Sequence, residues 1–507
     1  MASHHQFNEP RITLLSFSIS SSLLISSALF AALSAAVFCA TGNYADAAII
    51  AAMAVVGALL IGFNASVEAV LVAWFVTTPL ASFYLRVPLE RSIITYDRVV
   101  FGVMIVMAIL RWRRGDSGSS TEASALQSSR ISITKFEAAW VLLSVAALAS
   151  VAARSNNLAY ATRMAVDSFW LPLIAFHIAR NHLDIRRPGK ALLLGAIALA
   201  LLLFAIGGAE LLTAADFFHF KGSEIIREGE RRVNGPFISD SSYSIICSML
   251  FLFLLSARRL LKTQFDRAAK VFYWLGVTAA AAGAMLPMFR AVAAAMVLGL
   301  IVLQVLGQRA RFLSRRTAPA LLMISVLVVI GVAAVLAPLM LRAGRLSDPR
   351  TVFARLATWQ AAVVFTLNNP GFGVGLGNYS EHFRERHFYR DPTIRDVFDA
   401  RAAQSPHSNV LWISSEMGVT GLILYMAANI YLLLMGWRAL NRASSDRERI
   451  AAACFLALLA AYWIPGLTLA SGEYSDVNLY FFFLLGALSG QFSRSGQLIK
   501  PLGEPAD

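Results

Sequence analysis

Long apolar runs separated by short polar intervals dominate the chain. Runs of spanning length fall near residues 13–38, 45–63, 66–84, 98–111, 136–153, 160–179, 190–208, 239–256, 271–288, 290–307, 318–340, 408–436, 450–470 and 477–492. A helix needs about 20 mostly apolar residues to cross a bilayer, so the pattern predicts an all-α polytopic membrane protein with about 12–14 transmembrane helices. The lower figure allows for the short run at 98–111 and for the near absence of linkers in the pairs beginning at 45 and 271. The first run, Ile12–Ala40, is too long for the core of a signal peptide and reads as an uncleaved span.

The longest polar interval lies between Asp348 and Gly421 and carries the most specific pattern. Asp348 and Pro349 suit an N-cap and a first helical position, and Val352, Leu356, Trp359, Val363 and Leu367 follow on one helical face. Such a helix would lie flat on the membrane surface or on the tops of other helices, and Asn368, Asn369 and Pro370 would end it. Glycines then alternate at 371, 373, 375 and 377, a spacing that permits a close backbone turn but does not fit a dinucleotide fingerprint. An arginine-rich stretch follows, and the interval closes on Pro406, His407, Ser408 and Asn409 before the next apolar run.

Composition agrees with the patterning. Hydrophobic residues make up 57% of the 507, well above a soluble protein's usual share of about 45–50%. The net charge of +14 does not call for nucleic acid, because an excess of Lys and Arg on cytoplasmic connections explains it. Cys39, Cys247 and Cys454 all sit inside apolar runs without paired spacing, which indicates packing residues and neither disulfides nor a metal knuckle.

With a cytoplasmic N-terminus, the inner connections carry Arg111, Arg113 and Arg114; Arg180, Arg186, Arg187 and Lys190; Arg258, Arg259, Lys262, Arg267 and Lys270; Arg309, Arg311, Arg315 and Arg316; and Arg438, Arg442, Arg447 and Arg449. The same alternation puts two long loops outside, 209–238 and 341–407. Four regions follow: N-terminal spans over 1–208 with a Ser-rich cytoplasmic linker at 115–134, an outer loop with central spans over 209–340, a large outer loop at 341–407, and C-terminal spans over 408–507.

Arginines on the outer side run against this trend. Arg232 precedes Asn234, Gly235, Pro236 and Phe237; Arg290 stands where two nearly continuous spans break; Arg350 and Arg355 lie on the predicted helix. Charge near hydrocarbon is costly and needs a partner. That partner is either an anionic ligand, a local acid such as Glu228, Glu230, Asp240 or Asp348, or a lipid phosphate.

RVNGPFISD at 232–240, FRA at 289–291, and RxxxW followed by NNPGFGVGLGNY and HSNVLWISSEMGVTG resemble the O-antigen ligase and polymerase superfamily of bacterial envelope glycosyltransferases. The strongest similarity covers 350–422; Phe289, Ser239 and Asp240 depart from the usual pattern. The resemblance implies an inner-membrane protein with a periplasmic site. It would transfer a glycan from an undecaprenyl-diphosphate carrier to a hydroxyl of lipid A core or of a nascent polysaccharide. Arg232, Arg290, Arg350 and Arg355 would hold the pyrophosphate, since guanidinium groups pair with phosphate oxygens in bidentate fashion. The sequence contains no DxD pair, so no metal or other cofactor is expected. His407 is the expected general base, an imidazole being suited to proton transfer at neutral pH; a helix-capping or core role is the bland alternative. Glu416 is a rival base, an orienting partner of His407 or a partner for an arginine, and Asn409 would bind sugar or cap the following helix. A transporter or flippase of lipid-linked oligosaccharide would also use many spans and an arginine-lined cavity, but would not need His407. A purely structural protein would leave the outer arginines without a role.

Overall fold

The computed structural model describes residues 67–87, 94–115, 133–183, 189–213, 217–218, 226–227, 230–231, 233–260, 267–307, 350–385 and 405–496. The predicted spans at 13–38, 45–63 and 318–340, together with Cys39, lie outside these residues.

Helices α1 (Val67–Tyr84) and α2 (Tyr96–Gly115) are joined through a short antiparallel hairpin of β1 (Arg86–Val87) and β2 (Ile94–Thr95). Next come α3 (Lys135–Arg154) and a rod made of α4 (Leu158–Ala165), a π turn at Val166–Trp170, and α5 (Leu171–His182). Helix α6 (Gly189–Thr213) leads through a second small hairpin, β3 (Ile226–Arg227) with β4 (Glu230–Arg231), to α7 (Asp240–Leu260). Helices α8 (Arg267–Met285), α9 (Arg290–Gly307), α10 (Arg350–Asn368) and the short α11 (Tyr379–Glu385) precede the long α12 (Asn409–Arg442). Finally α13 (Asp446–Thr468), a 3-10 turn at Ser471–Glu473, and α14 (Ser475–Gly496) complete the described chain. Each predicted span within the described residues coincides with one of these helices. Among the described residues, eight helices are long and apolar enough to cross a membrane: α1, α3, α6, α7, α8, α9, α12 and α13. The protein is an all-α polytopic membrane protein.

Lipid gives helices no hydrophobic reason to associate, so close backbone approach and polar contacts have to hold the bundle. The GxxxG pair Gly486 and Gly490 on α14 illustrates the first: a Cβ would come within 2.4 Å of the Phe176 carbonyl and 2.6 Å of the Arg180 carbonyl on α5. Aromatic packing adds to it where Trp74 and Phe75 of α1 meet Tyr480 and Phe483 of α14, and the Tyr480 hydroxyl donates to the Phe75 carbonyl at 2.8 Å. At the basic end of the bundle, the buried Glu137 receives Arg180 and lies 2.7 Å from His177 Nδ1, while Thr134 completes a capping box with it at the start of α3.

The ends of the helices sort by register. Ser244 donates to the Ala284 carbonyl, Ser242 to Asp476, and Asn409 to Ser471, so the starts of α7, α9, α12 and α14 share one end of the bundle. Arg180, Arg258, Arg438 and Arg442 belong to the opposite end.

The predicted amphipathic helix is present as α10, ending at Asn368 as read. Its apolar stripe points away from the protein, with Leu356, Val363 and Leu367 exposed at 49%, 46% and 73%. The buried face is Thr358, Ala361, Ala362 and Phe365, which pack with Val374, Tyr379 and Phe383. Small side chains at 361 and 362 let the helix approach its neighbours, which leaves the larger aliphatic residues for the surroundings.

Candidate functional site

The glycine-rich segment is built into a broken helix. Inside α12, Gly418 has φ 69° and ψ −168°, which turns the amides beyond it away from their helical acceptors. In an unbroken helix, Ser415 O would accept from residue 419 and Glu416 O from residue 420. Here Val374 N donates to Ser415 O at 2.8 Å and Gly375 N to Glu416 O at 3.1 Å, while Val419 N donates to Pro370 O at 2.8 Å. The loop therefore satisfies backbone groups on both sides of the break, as buried polar groups require. Contact is close enough to demand glycine: a Cβ at Gly373 would lie 2.4 Å from Ser415 O, and one at Gly418 would lie 2.5 Å from Gly371 O. Ser150 of α3 anchors the assembly, its hydroxyl lying 2.9 Å from Glu416 O and 3.1 Å from Phe372 O while accepting Leu376 N at 3.2 Å. Asn378 ties the loop to the end of α3 by donating to Arg154 O at 2.7 Å.

Glu416 sits at the centre of this arrangement and is only 3% exposed. Its carboxylate accepts from Gly377 N at 3.0 Å, Tyr379 N at 3.1 Å and Trp412 Nε1 at 2.7 Å. Trp412, one turn earlier on the same face, stacks on Phe169 of the π turn with centroids 5.8 Å apart. These bonds make Glu416 the pin that fastens the glycine loop and α11 to α12.

His407 stands two residues ahead of α12 with φ 50°. The described residues contain one other non-glycine position with positive φ, Met288, two residues ahead of Arg290. Backbone of this kind costs on the order of 1–3 kcal/mol and persists only where the surroundings fix it. His407 is half-buried, and its amide donates to Ser405 Oγ at 3.4 Å. Ser405 in turn hydrogen-bonds Glu473 of the 3-10 turn. Asn409 is buried and faces the same turn, its Nδ2 donating to Ser471 Oγ at 3.1 Å and its Oδ1 accepting Gly472 N at 2.8 Å. Burial, then the neighbouring Glu416 charge, push the Glu473 carboxyl well above the usual carboxylate range, with the Ser405 hydrogen bond working against them.

Other predicted residues are distributed around this end. Arg290 opens α9 and Arg355 lies in the second turn of α10, both exposed. Arg232 and the side chain of Arg350 lie outside the described geometry. The Asn234-Gly235-Pro236-Phe237 segment forms a buried turn whose Gly235 amide donates to the buried Glu210 at 2.8 Å. Sequence reasoning did not single out Ser150, Trp412, Asn378 or Glu473, nor the bidentate pair of Arg98 with Asp167, in which Nη2 lies 2.7 Å from Oδ2. An acidic residue between two apolar runs, as in Ser471-Gly472-Glu473, was the available signal for the fourth. Among the described residues, no group of three or more His, Cys, Asp or Glu is arranged to hold a metal ion.

No curated protein matches the chain. A family model described as O-Antigen ligase matches residues 274–426, from within α8 through α9, α10, the glycine loop and His407 to the middle of α12. The stretch with the densest backbone interlocking thus falls inside the stretch that the family has in common, and the chain is a member of the O-antigen ligase and polymerase superfamily.

Proposed function

We propose that the protein is a membrane glycosyltransferase that moves a glycan from an undecaprenyl-diphosphate carrier to an acceptor hydroxyl on lipid A core or a growing surface polysaccharide. The site would face the periplasm at the inner membrane, in keeping with the basic opposite ends of the helices. In the transfer, the acceptor oxygen forms a bond to the anomeric carbon as the bond from that carbon to the diphosphate breaks. The diphosphate leaves with the electron pair, and His407 takes the acceptor proton. Arg232, Arg290, Arg350 and Arg355 would neutralise the diphosphate oxygens, and Asn409 and Glu416 support the segment that carries His407. The observation that carries this reading is the fixed, half-buried position of His407 at the mouth of the family segment, on a backbone that its neighbours must hold in place.

The test is a transfer assay with full-length protein in detergent, using lipid-linked glycans extracted from the producing cell and their natural acceptor. His407→Ala should lose turnover on the order of 10² to 10⁴-fold while still binding undecaprenyl diphosphate. His407→Gln should do little better, because an amide does not take up a proton at neutral pH. Full activity in the alanine variant would remove His407 from the chemistry. A complete lack of new glycosidic bond with the unaltered protein would favour a transporter of the same lipid.

A further inference from the structure

The turn between α13 and α14 lies beyond the family segment, yet it grips the chain on both sides of His407. Downstream, Ser471 and Gly472 hold Asn409, and packing leaves no slack: a Cβ at Gly472 would lie 2.8 Å from the Trp412 ring and 3.3 Å from Asn409 Oδ1. Upstream, Glu473 holds Ser405, whose Oγ accepts the His407 amide. His407 is therefore the free middle of a five-residue stretch whose two ends are bonded to one three-residue turn.

We propose that this turn is the part of the transfer site that holds His407 in place, with Glu473 as its positioning residue, acting through Ser405. The inference rests on the role given to His407 above. A chain of donors runs from the His407 amide to Ser405 Oγ and from the Ser405 hydroxyl to the Glu473 carboxyl, so what Glu473 must supply is an acceptor oxygen. Its surroundings are acidic or neutral: Glu416 faces it from α12, Tyr160 from α4 and Tyr379 from α11, with Tyr474 beside it. This environment favours the protonated acid, whose carbonyl oxygen still accepts from Ser405. Glutamine reproduces that oxygen and alanine does not.

The experiment uses full-length protein in detergent and the variants Glu473→Ala, Glu473→Gln, Ser405→Ala and His407→Ala, each checked for monodispersity and thermal unfolding. One readout is independent of activity: the rate at which diethyl pyrocarbonate modifies His407, followed by peptide mass spectrometry with His177 and His382 as internal references. Glu473→Ala and Ser405→Ala should change the His407 rate severalfold and leave the references alone, and Glu473→Gln should restore it. The second readout is transfer. Since about 1 Å of misplacement costs on the order of 10²-fold, the two alanine variants should lose about 10- to 100-fold in kcat with little change in the KM for the lipid-linked donor, and glutamine should recover most of it. Unchanged reactivity and kcat in both alanine variants would overturn the proposal, as would a glutamine variant as impaired as alanine. If Glu473→Ala did not fold, Ser405→Ala would decide on both readouts. Full activity in His407→Ala would instead sink the transfer reading, while the reagent rates would still decide whether the turn holds His407.

Discussion

Val419 donates its amide to the carbonyl of Pro370 at 2.8 Å, so the second half of α12 starts on the glycine-rich loop and not on the turn before it. The break and the loop are one structure. Gly418→Ala meets two penalties, a positive φ that costs on the order of 1–3 kcal/mol for an L side chain and a Cβ placed 2.5 Å from Gly371 O. Gly373→Ala meets the same pair against Ser415 O. Both should lower the unfolding temperature in detergent and expose the loop to protease. A Gly418→Ala protein that melts with the unaltered one would show that the break is dispensable.

Glu416→Ala would orphan the Gly377 and Tyr379 amides and the Trp412 indole. An unsatisfied buried donor costs about 1–3 kcal/mol, so the loss should be several times that of an ordinary surface change. Glu416→Gln should also destabilise, since one of its two terminal atoms is a donor facing donors. Thermal unfolding checks both, and stability equal to the unaltered protein in either variant would contradict the pinning role.

Arg290 is read as a bidentate phosphate ligand, and lysine keeps its charge while losing the planar fork. Arg290→Lys should weaken binding of undecaprenyl diphosphate nearly as much as Arg290→Ala, by about 10-fold or more. Full affinity in the lysine variant would reduce Arg290 to a general charge or remove it from the pocket.

The raised carboxyl of Glu473 has a consequence for stability against pH. Below the ordinary glutamate value of about 4.3, both folded and unfolded chains carry the proton and its contribution is complete. As pH rises, the unfolded chain ionises first, so this contribution falls until the folded group also ionises. Glu473→Gln removes the titration. The unfolding temperature of the unaltered protein should therefore drop relative to this variant as pH climbs from about 4.3 towards the raised value. A constant difference across that range would mean that Glu473 titrates normally.

Apolar run length was enough to locate the helices within the described residues, because each crossing needs the same unbroken stretch of apolar side chains. The start and end of α10 were also legible, from Pro349 and from Asn368-Asn369-Pro370. Which face of α10 would be buried was not, since alanine and leucine are both apolar and only packing distinguishes close approach at Ala361 and Ala362 from outward display of Leu367. The alternating glycines announced a tight loop, but not that it would fill the gap in a helix more than forty residues later, because that pairing depends on Gly418 adopting a non-helical backbone. Glu473 was passed over for the same reason. Nothing local in Ser471-Gly472-Glu473 says that Asn409 and Ser405 will meet it.

The break at Gly418 also decides how deep the chemistry sits. From Val419 to Trp437, just ahead of Arg438, α12 measures about 28 Å at 1.5 Å per residue, close to the roughly 30 Å of hydrocarbon in a bilayer. The lower segment crosses the bilayer unaided, and residues 409–418 are surplus to the crossing. Trp412, Glu416 and the glycine loop accordingly ride at the level of the lipid headgroups, the layer in which a polyprenyl carrier presents its diphosphate while its tail stays in the oil.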